Sequence, residues 1–399
     1  MTTAFDGQAT GPLQGVKVVD LTINVLGPLA TQILGDMGAD VIKVEPPGGE
    51  PMRKLGPGHE MDMGAHFMAL NRNKRSIELD LKQPAALEAL KFVIATADVL
   101  VLSMRASAVA RLGLDYPSLA AANPKLVYAS ATGYAQHGPH KDRPAYDDVI
   151  QGESGLAGMI QQANGEARYA PMAIADKFCG TQLASAIGMA LFARERSGCG
   201  QEVHVPMLEV MTAFNIVDHF WEATFDKPGA KVGFPRMFTP HRRPYPTQDG
   251  YISLLAITDA QWRRLLTAIN RPELADDQRF AKLEGRTVNI DTLYGLLADA
   301  LATETTAHWR DALDDADIPN AAMASLEDVF ESPYLHETGF FQHMEHPDAG
   351  SILQMRPPIA FGATPPNLHR PQPARGVDAE DILTEAGLSP DAIQDALKT

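Results

Sequence analysis

The sequence predicts an α/β protein: a Rossmann-like large domain built on a parallel sheet covered by helices, with a smaller second domain. Two observations carry this. Over the first 150 residues short β-branched runs alternate with longer stretches of helical periodicity, the order expected of a parallel sheet wrapped by helices. Between residues 259 and 316 a compact set of helical patterns follows a stretch with little periodicity. At 399 residues, 45% hydrophobic and 21% charged, the chain is long enough to bury two cores.

Taken in order, VKVVDL (Val16–Leu21) is the first strand. LATQILGDMG is a helix ending at Gly35 or Gly38, and DVIKVE (Asp40–Glu45) is the second strand. LNRNKRSIELDL places a basic run immediately before a strand pattern. Gln83–Ala97 is a helix with Pro84 in its opening turn, where a missing N–H costs nothing, and it leads into the strand Asp98–Met104. Lys125–Tyr134 is a further buried strand. A long helix runs from about Asp176 to Gly198. Ala223–Pro246, rich in Gly, Pro and Arg, reads as a linker or irregular crossing. DAQWRRLLTAI, TLYGLLADALATE and TAHWRDALDDA supply the helices of the small domain. From Pro333 the chain turns irregular, with seven prolines between Pro347 and Pro373, before a final helical pattern near Asp378–Leu397. The expected division is therefore 1–222 for the first part of the large domain, 223–332 for linker and small domain, and 333–399 for a return segment that completes the large domain.

A formal charge of -16 sets the surface as a whole against nucleic acid and anionic membranes, so a polyanionic ligand must meet a local basic patch. Two cysteines, Cys179 and Cys199, are too few for a disulfide framework, which fits a reducing cytoplasm. No signal peptide is read at the N-terminus, and the apolar stretch Ala184–Ala193 is too short to span a bilayer.

Several motifs admit two readings. The turn after the first strand, DLTINVLGP, lacks the G-x-G-x-x-G that lets a backbone approach a pyrophosphate, so Glu45 reads as a capping or solvated strand end and not as a ribose-binding acid. Arg72, Lys74 and Arg75 form either a phosphate cradle or a solvated basic turn, with Arg105 and Arg111 on an adjacent loop and helix able to converge with them. His336, His343 and His346 match no metal-binding spacing, and no metal is expected. Cys179 reads as a packing residue. Asp176 follows the small apolar run APMAIA near a helix N-terminus, where an aspartate can simply cap backbone N–H groups. Yet the series Gly180, Ala184, Gly188 that climbs from it has almost no side chain, so either a backbone or a slender ligand approaches that face.

GVKVVDLT, GPLATQILGDMGADVIKVEPPGG, ALNRNKRSIELDLK, RLGLDY, NPKLVYASATGYAQHGP, RPAYDDVIQGESGL, ARERSGCGQEVHVPMLE and PPIAFGATP are collinear over nearly the whole chain with stretches of one family. The sequence resembles the class III CoA-transferases, the group of formyl-CoA transferase and carnitine CoA-transferase, related to α-methylacyl-CoA racemase. The resemblance implies that Asp176 is a nucleophile moving CoA from an acyl-CoA to a free carboxylic acid through covalent aspartyl intermediates, with Tyr146 and Asp147 beside it. It implies that Val25 and Leu26 line the acyl end, and that Arg72, Lys74, Arg75, Arg105 and Arg111 hold the CoA phosphates and adenine. It also implies an interlocked homodimer, acyl-CoA and a small carboxylic acid as partners, and no tightly bound cofactor. Where many relatives carry an Asn-Phe pair this chain has Ser103 and Met104, and the glycine-rich loop of formyl-CoA transferase has no counterpart around PRMFTPHRRPYPTQDGY. Tyr146 stands where the racemases have a histidine, which favours transfer over 2-methylacyl-CoA epimerisation; a catalytically silent CoA-binding protein would have no need of Asp176. Arg53, Arg242 and Arg243 are either partners for a second carboxylate of a dicarboxylic acid or surface residues.

Overall fold

The computed structural model describes residues 3–398, which divide into two compact units. The first comprises the chain through Ser154, Ala170–Ala213, and the chain from Tyr334 onward. Its centre is a six-stranded sheet of β1 (Lys17–Leu21), β2 (Asp40–Glu45), β3 (Lys74–Glu78), β4 (Val99–Leu102), β5 (Val127–Thr132) and β6 (Gln201–Pro206). The spatial order is β3-β2-β1-β4-β5-β6 and every pairing is parallel. This is the doubly wound order, and it reverses direction between β1 and β4. Strands covered on both faces carry continuous apolar runs, as in β4, where Val99, Leu100, Val101 and Leu102 are all buried.

The helix Pro84–Ala95 packs Leu90, Val93 and Ile94 into the same core as Ile42, Ile77 and Leu100. The final helical pattern is two helices, Ala379–Glu385 and Pro390–Ala396, because Gly387 turns left-handed (φ 88) and Ser389 caps a new start ahead of Pro390. The return segment also covers β3, which ends the sheet: the Asp378 carboxylate accepts the Ser76 N–H at 2.8 Å, and Asn73 N–H donates to the Arg370 carbonyl at 3.0 Å.

The second unit comprises Gly155–Tyr169 and Phe214–Pro333. Helices Asp259–Ala268, Ile290–Leu301 and Thr306–Asp315 bury Trp262, Leu265, Leu293, Leu297 and Trp309, as their periodicity predicts. Thr258 and Gln261 close a capping box on the first of them. A small antiparallel sheet of Tyr245–Pro246, Tyr251–Leu254 and Asn320–Ala322, too short to show in the periodicity, accompanies them. Among the described residues no helix is long and apolar enough to cross a membrane.

Candidate functional site

A cavity of about 1200 Å³ opens at the carboxyl ends of the strands. Its wall takes Ile23–Leu26 after β1, Pro46 and Pro47 after β2, Leu79–Lys82 after β3, Ser103–Arg105 after β4 and Gly133 after β5. A crevice there, centred on the reversal of strand order, is where open α/β sheets bind ligands.

At one wall stands Asp176, in the first turn of the helix Ile174–Ser197. The N-cap of that helix is Ala173, and among the described residues no hydrogen bond involves the Asp176 carboxylate, so the capping role is not the one it plays. Its own N–H donates to Asp147 Oδ1 at 3.0 Å, and Asp147 Oδ2 in turn accepts from the buried Gln151 amide. Burial, joined by the negative charges of Asp147 and Asp148, pushes the Asp176 carboxyl up to about 7. Cys179, three residues on, is fully buried, and burial with the Asp176 and Asp147 charges pushes its thiol up to about 12. It stays a neutral packing group.

The small-residue series beyond Asp176 resolves into one close approach. A Cβ at Gly180 would sit 2.5 Å from the Leu26 carbonyl oxygen, whereas one at Gly188 meets nothing within 4 Å. A backbone, that of the helix Leu26–Asp36, is what Gly180 admits.

Lys82, Arg105, Arg111, Lys141 and Arg143 also line the cavity. Among the described residues only Arg143 of these has an ion-pair partner, Glu153 at 3.3 Å, and Glu153 also accepts from the Tyr134 hydroxyl at 2.7 Å. Against them stand Asp80, Asp176 and Glu45, the last neutralised by Arg53, so the cavity carries a surplus of positive charge in a protein of net charge -16.

Of the anticipated site residues, Val25, Leu26, Ser103, Met104, Arg105, Arg111, Tyr146 and Asp176 line this one cavity, and Asp147 binds Asp176 from behind. The run Arg72, Lys74, Arg75 does not line it. Arg72 forks onto Asp36 at 2.9 and 2.7 Å, Lys74 is fully buried 3.2 Å from Asp20, and Arg75 pairs with Asp40 and Glu385. Lys74 and Arg75 belong to β3 itself, and the carboxylates that pair with all three lie far off in sequence, so neither a loop cradle nor a solvated turn describes them. Their charges are neutralised inside the fold, the buried Lys74 dropping to about 8 through burial against the pull of Asp20. Glu45 and Arg53 are likewise corrected: both are buried and form a bidentate pair, with Nε and a terminal nitrogen of Arg53 each 2.7 Å from Glu45. Arg242 and Arg243 are exposed on the second unit. His346 is buried, with Nε2 donating to the Gln372 carbonyl and Nδ1 accepting from the Asp348 and Ala349 amides. Lys82, Lys141 and Arg143 are missed by reading the sequence for clusters, since Lys82 stands alone and the short Lys141–Arg143 pair, split by Asp142, joins the others only when the loops converge.

The profile of CoA-transferase family III matches residues 13–379. The succinate–glutarate CoA-transferase of Agrobacterium fabrum is 34% identical over 385 residues, covering 94% of this chain and 95% of that protein. The acetyl-CoA:oxalate CoA-transferase of Acetobacter aceti is 35% identical over 343 residues, covering 85% of this chain and 86% of its own. The crystal structure of Rv3272 from Mycobacterium tuberculosis in its orthorhombic form superposes with a TM-score of 0.80 at 31% identity, over 93% of this chain and 99% of that one.

Proposed function

Since the chain belongs to CoA-transferase family III and is a CoA-transferase, we propose that it moves CoA from an acyl-CoA to a small carboxylic acid with Asp176 as the covalent relay. The observation that carries this reading is the pairing, in one cavity, of a carboxylate and four cations that have, among the described residues, no hydrogen-bond partner on the carboxylate and no ion pair on the cations. CoA carries both negative phosphates and a thioester, and this cavity holds both cations and a carboxylate to meet them.

In the first step an Asp176 carboxylate oxygen attacks the thioester carbonyl and the C–S bond breaks, giving a mixed anhydride and CoA thiolate. The thiolate attacks the aspartyl carbonyl, releasing the first acid and leaving an aspartyl thioester. The acceptor carboxylate then attacks that carbonyl and expels thiolate. This thiolate takes the acceptor's acyl group and restores Asp176. Burial beside Asp147 and Asp148 makes the ionised Asp176 a more basic, less solvated nucleophile than an ordinary carboxylate. Lys82, Arg105, Arg111, Lys141 and Arg143 hold the phosphates, Val25 and Leu26 border the acyl group, and the exposed Tyr146 faces the acceptor.

The assembly we propose is an interlocked homodimer. Family resemblance supports it, as do the long connections and the exposed Met189 and Phe192 on the outer face of the Asp176 helix. Dissociation should then require unfolding, and folded monomers on dilution would refute it.

The relay is tested by quenching the enzyme with succinyl-CoA or acetyl-CoA and mapping adducts by mass. The expected mass lies on the peptide containing Asp176. Full turnover by Asp176→Ala would overturn the reading.

A further inference from the structure

We propose that the buried Lys43–Glu50 ion pair is a positioning device: it clamps the turn Thr22–Leu26 and so sets where the thioester carbonyl meets Asp176, without touching substrate. This rests on the CoA-transfer reading above. Lys43 Nζ lies 2.9 Å from Glu50 Oε1, and both side chains are fully buried. Each ion also holds one backbone group of the turn. Lys43 donates to the Thr22 carbonyl at 3.1 Å, and Glu50 Oε2 accepts the Asn24 N–H at 3.0 Å. The two bonds flank Ile23, which lines the cavity with Asn24, Val25 and Leu26.

The turn is one that needs holding. Asn24 is left-handed at φ 70, a conformation that asparagine enters more readily than most side chains but less freely than glycine, so a fixed hydrogen bond to its N–H helps hold it there. Beneath it the buried Asp20 carboxylate accepts the Thr22 N–H at 2.9 Å. Behind it the Leu26 carbonyl abuts Gly180, one helical turn past Asp176. With the rear face closed by that contact, a loosened turn moves toward the cavity and displaces the wall beside the nucleophile. Misplacement on the scale of an ångström is enough to cost about a hundredfold in rate.

Glu50→Gln tests this at constant shape. The carboxylate turns one oxygen to Lys43 and the other to the Asn24 N–H, whereas the amide replaces one of those oxygens with an NH2 that meets a donor. The expected result is a ten- to hundredfold fall in kcat, with the Kd for free CoA unchanged within about twofold, since the pair binds none of the five cavity cations. Amide hydrogen exchange should rise in the peptide spanning residues 22–26. A glycine at 24 adopts the left-handed conformation without a clamp, so the Glu50→Gln penalty should shrink in an Asn24→Gly background. If Glu50→Gln does not fold, Glu50→Asp, which keeps the core charge balanced but shortens the reach to Asn24, carries the same expectation. A purely structural pair would lower the folded fraction while kcat per CoA-binding site stayed at the wild-type value. That outcome overturns the proposal alone. Absence of transfer by the wild type with succinyl-CoA or acetyl-CoA and a panel of acids would overturn the transferase reading, and this one with it.

Discussion

Replacing Asp176 by Asn should make the protein more stable at the pH where it stops it working. Folding lifts the Asp176 carboxyl from 3.8 to about 7, first through burial and then through the neighbouring Asp147 and Asp148 charges. The folded state therefore holds this proton more tightly than the unfolded state does. Stability from that source is fully present below about pH 4 and is lost as pH rises to about 7, beyond which the loss is constant. Each pH unit of displacement is worth about 1.4 kcal/mol, so the loss is on the order of 4 kcal/mol, reduced by solvent screening of a partly accessible group to roughly 2 kcal/mol. Asparagine keeps the shape and never ionises. Paired thermal melts of the two proteins from pH 4.5 to 8.5 should show curves that nearly coincide at the acid end. The variant should then gain until about pH 7 and stay about 2 °C ahead above it, at about 1 °C per kcal/mol for a chain of 399 residues. A wild type equal to or more stable than Asp176→Asn at pH 8, or a gap independent of pH, would refute the reasoning.

Because the nucleophile must be ionised, kcat/KM for acyl-CoA should fall about tenfold per pH unit below about 7, and Asp148→Asn, removing one neighbouring charge, should move the midpoint of that profile downward. Arg111→Ala should cost about 1.5–3 kcal/mol of phosphate binding, read as a ten- to hundredfold rise in the acyl-CoA KM with the acceptor KM spared. Arg75→Ala, by contrast, leaves Asp40 and Glu385 facing each other without a cation, and should lower the melting temperature while leaving both KM values unchanged. Gly180→Ala puts a methyl 2.5 Å from the Leu26 carbonyl oxygen and should destabilise by about 1–3 kcal/mol, measurable by denaturant titration.

What the sequence displays and what it conceals divide along chain separation. β1, β2 and β5 are legible because buried parallel strands are mostly apolar and β-branched, even where Asp20 or Lys43 interrupts them, and the helices of the second unit because one face of each must be apolar. Asp176 stands out because it breaks a small apolar run, and the family resemblance singles it out. The basic run misleads because charge is visible in a sequence and its neutralisation is not: Lys74 meets Asp20 across 54 positions, and Arg75 meets Glu385 across 310. The converse holds for Lys82, Arg105, Arg111, Lys141 and Arg143, a cluster that exists only once the strand ends are side by side. Glu50 is invisible for the same reason, since its role lies in a backbone N–H 26 positions away.

The covering of β3 by the return segment bears on biosynthesis. Asp378 bonds to Ser76 in both directions, and Glu385 pairs with Arg75, so this edge of the sheet is satisfied by residues made about 300 positions after it. Throughout translation of the second unit, the nascent chain carries a strand edge whose N–H groups at Asn73 and Ser76 await partners about 300 residues downstream. An exposed edge of this kind is a template for pairing with other chains. A chain cut short before residue 370 therefore has every residue of the cavity wall and an unfinished sheet, one suited to aggregation and of little use as an enzyme.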